Sequence, residues 1–259
     1  MSGFHRLFTR SPAVIGMIHL PPLPGYPDSP GIDALIEHAL GDLATLEDAG
    51  VDGVLIENEY DRPHRVMATA EVTAAMTRIT RELVAARRFV SIGCEILLND
   101  PRASLAAAAA AGADFIRSDY FVDRMTRPEH GEFEIDPAGL LRYRDAIGAE
   151  NVLILADIQV KYATMLDPRP LAESAKLAAD FGADAVVVTG TKSGSAPSVA
   201  DLEAGAGELP VLVGSGLDPD NAGKLLTACD GAIVGTAIME KGRVSGRKID
   251  ALMAAAGYR

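Results

Sequence analysis

The sequence predicts a (β/α)8 barrel, built as a single domain over residues 1–259, and three observations predict it. Eight short apolar, β-branched runs recur along the chain, each followed by a stretch with helical periodicity. Near-continuous apolar runs mark strands covered on both faces, as in parallel sheets. The helix-to-strand joints also resemble one another: AGVDGV starts at 49, AGADFI at 111, FGADAV at 181 and the looser ACDGAI at 228. The first two joints are separated by two units of about thirty residues, the size of one βα unit. Finally, the polar residues of the strands gather at their C-terminal ends, the face that carries the active site in barrels of this kind.

The elements follow in order. Strands are expected at 13–20, 53–58, 89–97, 115–121, 151–160, 185–190, 210–216 and 231–238. Helices are expected at 33–48, 65–87, 101–111, 137–147, 169–181, 198–206, 219–228 and 246–256. Asp100-Pro101, Asp136-Pro137 and Asp218-Pro219 open three of them, with proline suited to the first helical turn. Glycine in the AG(V/A)D joints supplies the left-handed residue that stops a helix. No linker or low-complexity segment divides the chain. A doubly wound open sheet is the alternative fold, and no G-x-G-x-x-G follows the first strand to favour it.

Composition narrows the function. Net charge is −12, from 24 Lys+Arg against 36 Asp+Glu, so a nucleic-acid partner is not expected. A local cationic pocket can still receive a small anion. No window reaches the apolar length of a membrane span, and the N-terminus lacks the apolar core of a secretory signal. The expectation is a soluble cytoplasmic protein without membrane insertion. Cys94 and Cys229 lie in apolar contexts and read as buried reduced thiols.

The strand ends carry the candidate chemistry. They read His19, Glu57-Asn58, Glu95, Arg117-Ser118-Asp119, Asp157 to Lys161, Thr189-Gly190, Gly214-Ser215-Gly216 and Gly235-Thr236. Strand alternation puts Ile15, Met17 and His19 on one face, Ser91, Gly93 and Glu95 on another, and Asp157, Gln159 and Lys161 on a third. An inward carboxylate at a barrel mouth is costly unless paired, metal-bound or reactive. The candidate catalytic residues are therefore His19, Glu57, Glu95, Asp157 and Lys161. Glu95 and Asp157 would serve as base and acid, His19 would polarise or shuttle protons, and Lys161 would stabilise negative charge or form a Schiff base. An ion-pair network of Glu95 or Asp157 with Arg117 or Lys161 is the plain structural alternative. A divalent metal held by His19, Glu57, Glu95 and Asp157 is another, although no spacing motif supports it.

Glycines let backbone N–H groups approach a ligand, and loops after strands 7 and 8 are the usual phosphate position in such barrels. Gly214, Ser215, Gly216, Gly235 and Thr236 are the candidate phosphate residues, with Thr189, Gly190 and Thr191 as a third wall. Asn58, Arg117, Asp119 and Gln159 are candidate substrate contacts, Lys192 lies near the mouth, and Lys241 and Arg243 follow strand 8. Pro21, Pro22, Pro24 and Pro27 stiffen the loop after His19, and that loop is expected to roof the mouth.

GMIHLPPLPG near the start, IEN of strand 2, ADIQVKYA, VTGTKSG and VLVGSGLDPDN with GAIVGTAIMEKGR together resemble the BtpA/SgcQ family over about residues 10–250. The last pair is also similar to the phosphate-binding barrels of tryptophan and histidine biosynthesis and of ribulose-phosphate epimerase. The resemblance implies a (β/α)8 barrel. One branch takes its name from photosystem I biogenesis, as a membrane-associated assembly factor, and another is associated with genes of sugar uptake and metabolism. Lys161-Tyr162 stands where the resemblance implies Lys followed by His.

The expected function is an enzyme acting on a small phosphorylated metabolite, a sugar phosphate, by isomerisation, epimerisation or aldol-type cleavage. A nucleoside or glycosyl-phosphate hydrolase is a variant of it. A non-enzymatic assembly factor is the alternative of a different class. Association into a homo-oligomer through the outer helices is compatible with either.

Overall fold

The computed structural model describes residues 2–190 and 195–258. Eight parallel strands close into a barrel, each beside its neighbours in sequence and the last beside the first. They are β1 (Ala13–His19), β2 (Gly53–Glu57), β3 (Ser91–Glu95), β4 (Phe115–Ser118), β5 (Leu153–Ile158), β6 (Ala185–Val188), β7 (Val211–Val213) and β8 (Gly231–Val234). Helix α1 (Gly3–Leu7) precedes β1. The outer helices are α2 (Ile32–Ala49), α3 (Ala70–Ala86), α4 (Pro101–Ala111), α5 (Pro137–Ala146), α6 (Leu171–Asp180), α7 (Val199–Gly205), α8 (Ala222–Leu225) and α9 (Gly246–Ala255). Among the described residues no helix is long and apolar enough to cross a membrane.

The repeated joint has a physical purpose. Gly50, Gly112 and Gly182 adopt φ of 80°, 79° and 78° and end their helices or helical turns in the left-handed region. The aspartate that follows clips each even strand to the odd strand before it. Asp52 accepts the Val14 N–H at 2.8 Å, Asp114 that of Ile92 at 2.8 Å, Asp184 that of Ile154 at 2.9 Å, and Asp230 that of Val211 at 2.9 Å. Asp114 also pairs with Arg87. Asp114→Ala is expected to lose about 1–3 kcal/mol by orphaning a backbone donor, and Asp114→Asn, which keeps an acceptor, less. Urea unfolding of the two variants checks this; equal losses would mean that the clip contributes nothing.

Alternation divides the core in two. Outward residues such as Ile18, Val54, Ile92 and Val186 pack beneath the helices. Inward residues such as Ile15, Leu55, Phe115, Leu155, Val187, Leu212 and Ile233 fill the barrel. Its N-terminal end is closed by α1, which the apolar-run reading passes over because the element is only five residues long. Phe4 and Phe8 bring their rings within 4.8 Å of each other, and Phe8 meets Phe115 edge-on at 5.7 Å. A Cβ on Gly53 would stand 2.8 Å from the Phe8 ring, and one on Gly93 would collide with Phe115. The glycines make room for the plug, so the N-terminal end is solid and the C-terminal end holds the cavity.

Several expected elements are shorter. The chain leaves the barrel after Ser118 and after Ile158 rather than at 121 and 160. Tyr120, Phe121 and Val160 made the apolar runs look longer, but Tyr120 and Val160 are buried in a satellite cluster with Leu98, Met125 and Phe133, while Phe121 joins the outer core. That cluster supports an unexpected antiparallel sheet of Met125–Arg127, Gly131–Glu132 and Thr164–Met165 beside the mouth. Tyr120 stacks on Phe133 there, with centroids 3.9 Å apart. Helix α3 begins at Ala70, not 65. Helix α8 begins at Ala222, because Asp218 folds Asp220 and Asn221 into a turn by accepting both N–H groups. Cys94 is fully buried, whereas Cys229 is only partly so, and both are free. Burial pushes their thiols up to about 12 and about 11.

Candidate functional site

Register brings the strand ends to one level. His19 lies opposite Glu57, and Glu57 opposite Glu95, on β1, β2 and β3. Arg117 follows on β4 and Asp157 on β5. His19, Glu57, Glu95 and Arg117 line a cavity of about 630 Å³ at the C-terminal mouth, and Asp157 lies buried behind Arg117.

The floor is an ion pair with surplus carboxyls around it. Arg117, 7% exposed, donates from Nε to Asp157 Oδ2 at 2.6 Å and from Nη2 to Asp157 Oδ1 at 2.9 Å. Its Nη1 lies 3.8 Å from Glu95 Oε2, an oxygen that is buried without a hydrogen bond. A Cβ on Gly214 would collide with Val187 and stand 2.9 Å from Thr189, so that glycine lets β6 and β7 pack closely beside the guanidinium. Burial opposes the Arg117 charge, but Asp157, Glu95 and Asp119 outweigh it and hold its pKa well above the ordinary value.

One guanidinium cannot neutralise the whole group. Burial, reinforced by Glu59, pushes the Glu57 carboxyl up to about 8, so at neutral pH it holds a proton. Burial raises Glu95 well above the ordinary carboxylate range, against the pull of Arg117. Burial and Asp157 push Asp119 up to about 6. His19 Nε2 lies 4.0 Å from Glu57 Oε2. Burial lowers the His19 pKa, with Glu59 and Asp42 pulling the other way, so the imidazole is neutral at pH 7. Gly235 accommodates that ring: a Cβ there would stand 2.9 Å from His19 Nε2.

The other sequence-derived candidates divide. Lys161, Asp119, Ser215, Gly216 and Thr236 line the cavity with the residues already described. Asn58 does not: it donates to Asp61 at 2.9 Å and accepts the Leu97 N–H at 2.8 Å, bracing two loops. Gln159 also turns away, because the backbone takes φ 50° and breaks the alternation expected of a longer strand. Its side chain donates to the Arg169 carbonyl at 3.0 Å and to Ser174 Oγ at 3.1 Å. Thr189 and Gly190 lie outside the lining. Gly190 N–H donates to Ser215 Oγ at 3.0 Å, and that hydroxyl donates to the Ser195 carbonyl at 2.9 Å. A Cβ on Gly190 or on Gly216 would collide with the backbone at Ser195–Ala196, so these glycines let two loops pack together. Thr191 and Lys192 lie outside the described residues.

Two further expectations change. The proline loop does not line the cavity. Leu20 and Leu23 are fully buried in the outer core, and Leu23 N–H donates to Asp61 at 2.8 Å, which draws the loop against its β2–α3 neighbour. Arg243 pairs with Asp42 at 2.8 Å, away from the mouth. The metal alternative meets a competing partner, since both Asp157 oxygens are taken by Arg117. Among the described residues no three His, Cys, Asp or Glu side chains converge as a metal set.

The cavity also gathers residues that sequence reasoning missed: Glu59, Arg62, His64, Arg127 and Tyr162. Arg62 and His64 sit on the long loop after β2, and Arg127 on the antiparallel sheet after β4. Their signal was the length of those connections and the RPH and RPEHG turns within them.

The model of the BtpA family matches residues 10–256. The chain belongs to the BtpA family. It is 35% identical to the photosystem I biogenesis protein BtpA of Synechocystis, over 95% of this chain and 86% of that one. It is 31% identical to the putative sgc region protein SgcQ of Escherichia coli, over 93% and 91%. An uncharacterised protein of Archaeoglobus fulgidus is 37% identical over 94% and 98%. Among solved structures, the tryptophan synthase α subunit of Legionella pneumophila superposes with a TM-score of 0.64 at 15% identity, covering 99% of both chains. Phosphoribosyl anthranilate isomerase of Thermus thermophilus does so with 0.59 at 15% identity, over 95% of this chain and 98% of that one. At such identities these likenesses show the (β/α)8 fold and no more.

Proposed function

We propose that this BtpA-family chain is an enzyme that moves a proton next to the carbonyl of a small sugar phosphate, as an isomerase, an epimerase or an aldol-type lyase. The observation that carries the reading is the row His19–Glu57–Glu95 at one level of the mouth, with a neutral imidazole 4.0 Å from a carboxyl whose pKa is about 8. A general acid and a base tuned toward neutral pH and held in a cavity are what such proton transfer requires. Glu57 supplies the proton, His19 accepts or relays it, and the unpartnered Glu95 oxygen faces the reacting centre. Asp157 acts as counter-ion to Arg117, and Lys161 stabilises developing negative charge. The loops of Gly214–Gly216 and Gly235–Thr236 receive the phosphate, as in the anion sites of related barrels. The name of the Synechocystis relative, a photosystem I biogenesis protein, supports a second reading as an assembly factor, which predicts that the mouth residues tolerate substitution.

A thermal-shift panel tests the reading with inorganic phosphate, phosphorylated sugars, the matching free sugars, and divalent metals with and without chelator. A ligand at 100 times its Kd adds about 2.7 kcal/mol, a shift of several degrees. Phosphorylated sugars are expected to shift the transition and free sugars not. With the sugar phosphate that shifts it, NMR in D2O should show exchange of the hydrogen next to the carbonyl. His19→Ala should slow that exchange by about 10²–10⁴-fold with little change in Tm. A hydrolase would release free sugar without exchange, and an assembly factor would do neither.

A further inference from the structure

The cationic groups on the β2–α3 loop and the antiparallel sheet have no task in the chemistry above. Arg127 lines the cavity, yet its Nε is shut off from solvent and makes no hydrogen bond. Its guanidinium lies 5.8 Å from the centroid of the Tyr162 ring, and among the described residues it makes no ion pair. His64 lines the same cavity, with Nδ1 likewise buried and unbonded. Buried polar atoms without partners are rare and costly, so two on one wall of a cavity mark a place where an outside acceptor completes them. Arg62 stands beside them, paired at 2.6 Å with Glu59 three residues away. That pair is half-exposed and weak, so an arriving anion can compete for the guanidinium.

The local field agrees. Burial first, then Arg62, Arg127 and His130, lowers the His64 pKa to about 4. The imidazole therefore sits in a positive potential, although the chain as a whole carries −12. Position agrees too. The closed order places the ends of β2 to β4 across the barrel from those of β6 to β8. Glu57 and Glu95 end β2 and β3, on the cationic side of the mouth, and look across it to the glycine loops.

We infer that Arg127, His64 and Arg62 form a second anion-binding subsite facing the glycine loops, so that the substrate carries two anionic groups, a phosphate at one end and a phosphate or carboxylate at the other. This rests on the sugar-phosphate reading and narrows it. Arg127 and Arg62 supply charge-assisted donors, and His64 supplies a neutral donor from Nδ1 or Nε2. The two subsites would hold the substrate by its ends and present its middle to Glu57 and Glu95, so this wall sets specificity and does not itself react.

Calorimetric titration with two matched pairs tests the inference: glycerol 3-phosphate against 3-phosphoglycerate, and ribulose 5-phosphate against ribulose 1,5-bisphosphate. In at least one pair the doubly anionic member should bind about tenfold or more tighter. Arg127→Gln should remove that preference while leaving the singly anionic member within roughly threefold of its original Kd. His64→Gln should remove part of it. Circular dichroism checks the fold, and Arg127→Lys replaces Arg127→Gln if the latter does not fold. Equal affinities within both pairs, or an equal loss for both members in Arg127→Gln, would overturn the second subsite and leave the phosphate reading standing. If none of the four compounds binds the native protein, the phosphate reading falls and this inference with it.

Discussion

Arg117→Met is expected to cost about 3–5 kcal/mol of folding stability, because it leaves Asp157 buried without its partner. In a chain of this length that is a drop in Tm on the order of 10 °C. The geometry makes the loss large: both Asp157 oxygens are engaged at 2.6 and 2.9 Å, and Asp157 is 1% exposed. Adding Asp157→Leu removes the orphaned charge and should recover much of the loss, since an apolar pair of similar volume can replace a buried ion pair. Calorimetry on the two single variants and the double completes the cycle. A double variant no more stable than Arg117→Met would show that packing around the guanidinium, and not the charge pairing, holds the floor together. Glu95 needs no substitution in this experiment. Burial already raises its pKa, and losing the nearby cation raises it further.

Glu57→Gln should separate stability from function. The carboxyl has a pKa of about 8 in the folded chain against an ordinary value of 4.5. The folded state therefore binds the proton more tightly than the unfolded state does. The contribution of Glu57 to stability is complete below pH 4.5, declines as pH rises through the window, and is lost above about pH 8. Glutamine mimics the protonated carboxyl at every pH. The Tm curves of the two proteins should meet near pH 4.5 and diverge as pH rises, the variant being more stable by a few kcal/mol at pH 8. The same variant cannot yield a proton, so exchange of the hydrogen next to the substrate carbonyl should fall by about 10²–10⁴-fold. Parallel Tm curves across this range would mean that Glu57 does not titrate there, and the acid–base assignment would lose its basis. Greater stability with lost activity is the pattern expected of a strained catalytic group.

The barrel was legible because its signals are local and repeated. Each apolar run, each left-handed glycine and each following aspartate acts within a few residues, and the clips from Asp52, Asp114, Asp184 and Asp230 show why the same joint recurs. Inward alternation points His19 and Glu95 into the mouth cavity and Asp157 onto Arg117 beneath it for the same reason. Gln159 escaped it because one residue with φ 50° ends the period of two, and no feature of the run 151–160 announces that turn. The glycines were legible as special positions but not in purpose. Whether a missing Cβ makes room for a ligand, for Val187, for His19 or for a neighbouring loop depends on what the fold brings against it.

What this sequence determined by itself is therefore the order of strands and helices, the face on which polar groups collect, and the family to which the chain belongs. Only the tertiary structure decided which of those groups meet. Arg117 and Asp157 are forty residues apart, and their pairing converts a proposed acid into a counter-ion. Glu57 and Glu95 acquire their raised pKa values from shared burial around one cation, a property of the assembled floor that neither residue has alone. Arg127 and His64 reach the cavity from connections with no periodicity, where neither strand nor helix spacing constrains the direction of a side chain. Local chemistry sets the elements; the electrostatics of the mouth arise only once closure removes water from several charges at once.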